Sequence, residues 1–174
     1  APAPFEGLRL FGYDIIYADP PWPFENYSTK GESRNPNNHY ATMSIEQIAA
    51  LPVGHLASRD CAMLLWAVDP LLPQAFEVMR AWGFDYKRAN PETCLLGLTG
   101  SLQRRSAAVR QLVVEPIREH SRKPDRIADD IVRLYGDRPR VELFARTKRP
   151  GWEAWGNQVE RFAENEGAPL STAK

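Results

Sequence analysis

Asp19-Pro20-Pro21-Trp22 follows directly on the apolar run Tyr13-Asp14-Ile15-Ile16-Tyr17-Ala18. A buried strand ending in acid-Pro-Pro-aromatic has the parts of a specific chemical device. The prolines fix φ and carry no N–H, so they stiffen the turn and leave carbonyls to accept hydrogen bonds. The acid stands at the carboxyl end of a strand, where open α/β sheets place their ligands. The aromatic offers a flat face. Two acceptors and a ring suit a planar molecule with an exocyclic amine, as in methyl transfer to a nucleobase. The plain alternative is a strand-to-turn corner with a surface Asp, and four residues do not exclude it.

Further along, three more groups could do chemistry. Glu119-His120-Ser121-Arg122-Lys123-Pro124-Asp125 places a lysine before Pro at a helix start. Its ammonium can pair with a ligand carboxylate, helped by the partial positive charge of the helix end. A solvated lysine reads the same way. In Val141-Glu142-Leu143-Phe144-Ala145-Arg146, Glu142 could accept from ribose hydroxyls and Arg146 could donate to them. Trp155-Gly156-Asn157-Gln158 sets two amides side by side, suited to hydroxyls and purine edges or to a capped turn.

The elements that must position these residues follow from periodicity. Residues 13–18, 61–67, 93–98, 111–115 and 140–144 read as strands, and an extended segment starts at 84–87. Ser44-Ile45-Glu46-Gln47 is a capping box opening a short helix to about Leu51. Pro70–Trp82 carries an apolar face at helical spacing and stops at Gly83. Pro124–Leu134 is a third helix, with Ile127, Ile131 and Leu134 on one face. Asn26–His39 is a long polar loop beside the first strand's end. Strands alternating with helices imply a parallel α/β sheet covered on both faces. No Gly-x-Gly-x-x-Gly is present, so a cofactor must be held another way. The chain reads as one domain over 1–162, with 163–174 a flexible tail.

Composition narrows the partners. Lys+Arg and Asp+Glu both number 22, so any nucleic-acid binding must come from local patches. Cys61 and Cys94 sit in apolar runs and read as buried, reduced residues. His39, His55 and His120 are scattered, and no metal-ligand spacing occurs, so no metal is expected. No membrane span or signal-peptide pattern is visible, which makes the cytoplasm the expected compartment.

The order DPPW, then H-S-R-K-P-D, then V-E-L-F-A-R, then W-x-x-W-G-N-Q resembles the DPPW-type N6-adenine methyltransferase family. That family includes the catalytic subunit of the mRNA adenosine methyltransferase and many bacterial and phage DNA enzymes. His39-Tyr40-Ala41-Thr42-Met43-Ser44 and the strand end Leu65-Trp66 are similar too, and the likeness runs from Tyr13 to Val159. It implies a Rossmann-like methyltransferase sheet, mostly parallel, with helices on both faces and permuted motif order. It implies S-adenosyl-L-methionine as cofactor and N6 of adenine in DNA as target. RNA, or a catalytically silent nucleic-acid-binding subunit, is the alternative. By resemblance Asp19, Pro20, Pro21 and Trp22 form the catalytic turn. Lys123 holds the methionine carboxylate with Asp19 nearby, and Glu142, Arg146, Asn157 and Gln158 surround ribose and adenine. Relatives contact the adenine through an acid well before the catalytic strand, for which Phe5-Glu6-Gly7-Leu8 is the candidate substitute.

Nucleic acid is expected to meet Tyr27, Lys30, Arg34, His39 and Tyr40, together with the basic group Arg104, Arg105, Arg110, Arg118 and Arg122. Trp22, Tyr27 or Tyr40 would stack on a base turned out of its helix. Monomer and homodimer are both compatible with the sequence. One departure stands out: relative to the family pattern, roughly two dozen residues are missing between Lys87 and Arg88, a length typical of functional or mobile loops. Three explanations compete: a disordered stretch omitted from the sequence, a segment removed by design, or a natural protein that has none.

Overall fold

A computed structural model describes residues 4–23, 42–88, 94–110, 113 and 123–159. Its centre is β1 (Tyr13–Ala18), which pairs in parallel with β2 (Ala57–Trp66) on one side and β5 (Arg140–Leu143) on the other. β6 (Glu153–Trp155) adds in parallel beyond β5. On the far side β4 (Cys94–Thr99) and then β3 (Asp85–Arg88) complete the order β3-β4-β2-β1-β5-β6.

The departure from parallel pairing lies at this side of the sheet, where β4 runs antiparallel to both β2 and β3. Too few residues join β3 to β4 for a crossover, which needs a dozen or more, so the pair can meet only as antiparallel neighbours. The sheet is therefore mixed and mostly parallel.

β1 is apolar on both sides because both sides are covered. Ile16 and Ala18 join Met63, Leu65, Val141 and Leu143 in one core with α1 (Ile45–Ala49) and α2 (Leu72–Ala81), which contribute Ile48, Ala75, Val78 and Met79. Ile15 and Tyr17 face the other way, into a core with Ala62, Trp66 and Leu102 and with Ile131 and Tyr135 of α3 (Arg126–Tyr135). The expected capping box is formed: the Gln47 N–H donates to Ser44 Oγ at 3.2 Å, and the Ser44 N–H donates to Gln47 Oε1 at 2.9 Å. α2 stops where Gly83 takes φ +87.

β2 starts four residues before the expected strand, in Ala57-Ser58-Arg59-Asp60. Polar residues hid it, and they are used at the sheet's lower edge. Ser58 Oγ donates to Asp14 Oδ1 at 2.7 Å, and the Ser101 N–H donates to Asp60 Oδ1 at 2.6 Å. β6, only three half-buried residues, carried no periodic signal. Ahead of β1, Phe5 packs edge-on against Trp155 with ring centres 4.7 Å apart, and Arg9 and Tyr13 both reach Glu153. The expected strand at 111–115, except Val113, which lies outside any strand, and the loop 26–39 are outside the described residues, as is the tail.

Ile15 and Ile16 point to opposite, fully buried faces. Ile15→Ala and Ile16→Ala should each cost about 2–5 kcal/mol in urea unfolding. A large loss at only one of the two would mean that the sheet is covered on one face.

Candidate active site

The chain leaves β1 toward β2 on one side and returns as β5 on the other, so a crevice opens outside the carboxyl ends of β1 and β5. Such a reversal of strand order is where open α/β sheets bind ligands. Asp19 stands at the end of β1, and Glu142 and Arg146 at the end of β5. Lys123 stands just before α3, which covers the face to which Tyr17 points.

Lys123 Nζ lies 3.8 Å from Asp19 Oδ2 and 4.5 Å from the centre of the Trp66 ring. Trp66 is buried at the end of β2, and its indole N–H donates to the Tyr17 hydroxyl at 2.7 Å. The lysine thus rests on a fixed aromatic floor, an attraction worth about 0.5–2 kcal/mol. Burial lifts the Asp19 carboxyl above the ordinary carboxylate range, while the charges of Lys123 and Arg146 pull it down. Trp66 and Tyr17 were missed by the sequence reading of the site; the only signal was their place at adjacent strand ends.

Two expectations for the turn are corrected. Trp22 is not an open stacking face: it is 6% exposed, packed in the core, and its indole N–H donates to the Trp66 carbonyl at 2.9 Å. The prolines' carbonyls are not wholly free either. Pro20 O accepts the Trp22 N–H at 2.8 Å and Pro21 O accepts the Met43 N–H at 2.9 Å. Each retains a second lone pair.

Glu142 is held by a residue that the motifs did not include. Arg149 Nε donates to Glu142 Oε2 at 3.0 Å, and its Nη1 to Asp125 Oδ1 at 2.8 Å. Burial raises the Glu142 carboxyl, Arg149 lowers it, and Asp19 and Asp125 raise it further. Asn157 is exposed and Gln158 half-buried, just past β6. Gly156 brings them in against β5: the Ala145 N–H donates to Trp155 O at 2.9 Å, and a Cβ at 156 would meet Ala145 O at 2.7 Å. Only glycine fits that approach.

Arg104 and Arg105 fall elsewhere. The Arg105 N–H donates to Leu134 O at the last turn of α3, and Arg104 acts on Tyr135. That is the opposite edge of the sheet from Asp19, a strand length of about 20 Å away. Only an extended ligand could touch both them and the catalytic turn. Tyr27, Lys30, Arg34, His39, Tyr40, Arg118 and Arg122 are outside the described residues. Cys61 and Cys94 are buried and free; burial pushes the Cys94 thiol up to about 12 and the Cys61 thiol higher, so neither is a nucleophile at neutral pH.

The family model described as MT-A70 matches residues 13–90 and 85–158. The chain belongs to the MT-A70 family. It is similar to the Type II methyltransferase M.MunI of Mycoplasma sp, 26% identical over 189 aligned positions that take in 89% of this chain and 81% of that protein. It is 31% identical to the N(6)-adenine-specific methyltransferase METTL4 of Mus musculus, over 86% of this chain and 38% of that protein. For the N(6)-adenosine-methyltransferase MT-A70-like of Arabidopsis thaliana the values are 26%, 87% and 24%. This chain therefore spans well under half of the two longer relatives.

MT-A70 proteins are S-adenosylmethionine-dependent methyltransferases, and the donor set here fits that cofactor. Lys123 and Asp19 offer opposite charges to an amino-acid head, Glu142 and Arg146 an acceptor and donors to hydroxyls, and Asn157 and Gln158 amides to hydroxyls and a purine edge. The two MT-A70 matches overlap at 85–90, where the missing segment was placed, and the alignment to M.MunI is longer than this 174-residue chain. That relative carries residues this chain lacks. Among the described residues no cluster could hold a metal ion, and no helix is long and apolar enough to cross a membrane.

A carboxyl raised on folding adds stability that is full below its unfolded value and lost as pH rises through its folded value. Asp19→Asn removes that pH-dependent loss. Urea unfolding should show the variant at least as stable as wild type at about pH 7.5, with the difference vanishing near about pH 4. A difference that grew on acidification would reverse the sign assigned to Asp19.

Proposed function

We propose that this chain transfers a methyl group from S-adenosylmethionine to the N6 amine of adenine in DNA. The observation that carries the reading is Asp19, held at the crevice mouth between Lys123 and the rigid Pro20-Pro21 turn. The match to M.MunI over most of both chains favours DNA. The longer MT-A70-like relatives, named for adenosine, match over only about a quarter of their length, which makes RNA the second reading.

The adenine amine is a weak nucleophile because its lone pair is conjugated into the ring. Asp19 and the second lone pair of Pro20 O would accept hydrogen bonds from its two N–H groups, favouring a pyramidal nitrogen whose lone pair is free. Asp19 takes up one of these protons as the nitrogen gains its fourth bond. When bound, the cofactor supplies an electrophilic methyl on a sulfonium. Lys123 would hold the cofactor's carboxylate, Glu142 and Arg146 its ribose, and Asn157 and Gln158 its ribose and adenine. No protein nucleophile is required; positioning and electrostatics supply the rate.

In a duplex the base must leave the stack at a cost of a few kcal/mol. With Trp22 in the core, Tyr27 and Tyr40 are the candidates to receive it. Lys30 and Arg34 are the candidates for phosphate contact, since the balanced net charge leaves the electrostatic term to local groups.

Labelled-methyl transfer to matched DNA and RNA panels tests the reading. Wild type should label DNA in preference to RNA, and Asp19→Ala should abolish transfer; retention within a few fold would remove Asp19 from catalysis. Asp19 must be ionised to accept, so the rate should fall as pH drops through its raised value.

Lys123→Ala should weaken S-adenosylmethionine binding by roughly one to two orders of magnitude, the worth of a charge-assisted contact of about 1.5–3 kcal/mol. DNA affinity should change less. Unchanged cofactor affinity in calorimetry would return Lys123 to a solvated role. Reversing charge at Lys30 and Arg34 together should raise the KM for DNA and leave cofactor affinity alone. Intact DNA binding in that variant would move the contact surface elsewhere.

A further inference from the structure

Arg149 touches both halves of the crevice and belongs to none of its motifs. Its side chain is 17% exposed and forks between Glu142, at the end of β5, and Asp125, two residues after Lys123. The two carboxylates come from different segments. One is fixed by strand register, Glu142 standing opposite Tyr17, and the other sits on the turn that leads into α3. Without a cation between them, two acids would face each other and Asp19 across a shared, half-buried space. With it, the turn carrying Lys123 is tied to the sheet.

We propose that Arg149 is a positioning residue that locks the Lys123 turn to Glu142, so that the cofactor's carboxylate and ribose meet one preformed surface. The inference rests on the cofactor reading above. A guanidinium suits the task because its rigid fork can bond two carboxylates at once, whereas an ammonium concentrates its donors at one point. The cost of ordering Lys123 is then met on folding instead of at binding, which is how preorganisation raises affinity.

Binding of S-adenosylhomocysteine, which carries the same carboxylate and ribose and cannot react, tests this by calorimetry on the full chain. Arg149→Met should weaken binding about tenfold, the scale of lost charge-assisted bonds. Arg149→Lys should recover part of the loss. In transfer assays the KM for S-adenosylmethionine should rise while kcat at saturation holds within about threefold, since Arg149 does not touch the reacting atoms. The deciding measurement is a double-mutant cycle. If Arg149 acts through Lys123, Arg149→Met should cost clearly less in a Lys123→Ala background. Additive losses, or a fall in kcat alone, would overturn the positioning role.

Should Arg149→Met fail to fold, Asp125→Asn serves instead, because the Asp125 side chain is 41% exposed and its change leaves the Glu142 pair intact. It should weaken S-adenosylhomocysteine binding by about threefold, again less so without Lys123. Wild-type affinity in Asp125→Asn would overturn the inference. Wild-type protein that does not bind S-adenosylhomocysteine at all would instead sink the cofactor reading on which it rests.

Discussion

An acid at the mouth of a buried strand has to be kept charged, and that requirement organises the crevice. Burial lifts the Asp19 carboxyl and so works against its use as an acceptor. Lys123 and Arg146 oppose that from two sides. Lys123 can do so only if it stays near, and the Trp66 ring beneath it limits where the ammonium can go. Trp66 in turn is fixed by the Tyr17 hydroxyl on one atom and by the Trp22 indole on another. The aromatic of the Asp-Pro-Pro-Trp turn thus reaches the lysine through one intervening residue. The turn and the lysine, about a hundred residues apart in sequence, form one assembly.

Charge compensation also ties the end of β5 to the turn before α3. Glu142 and Asp125 would repel across the second half of the crevice, and Arg149 separates them. Lys123 and Arg149 each stand beside carboxylates of the crevice, Asp19 for one and Glu142 and Asp125 for the other. A carboxylate has about four lone-pair sites, more than one guanidinium or ammonium contact fills. A site built to receive donors from a ligand needs that surplus.

Much of this was legible beforehand. Strand β1, the capping box at Ser44, the α2 face and the strand end at Glu142 all declare themselves by periodicity or by a local motif. Family likeness then placed Asp19, Lys123, Glu142 and Arg146, which the fold brings together. What could not be read was pairwise geometry. Trp22 looked like a free ring because sequence shows that it is aromatic and not that its N–H is spoken for. Clustering of Arg104 and Arg105 in sequence says nothing about which end of the sheet their loop occupies, and the structure places them by the last turn of α3. Arg149 was hidden in the basic run Arg146-Thr147-Lys148-Arg149, where each cation looks alike until its partners are known. Ser58 and Asp60 disguised the start of β2 by using polar side chains to tie the sheet's edge.

The segment ahead of β1 has a consequence beyond the crevice. Among the described residues β3 and β6 are the outermost strands, and an open strand edge is a template for another chain. β3 guards itself with charge, running Asp85-Tyr86-Lys87-Arg88. β6 has no such series, only Glu153-Ala154-Trp155, and it relies on Phe5 lying against Trp155 and on Arg9 and Tyr13 engaging Glu153. Those few leading residues engage β6 through side-chain contacts. A protein trimmed to begin at Tyr13 would keep the crevice residues from Asp19 to Gln158 and lose the Phe5 and Arg9 contacts that brace β6.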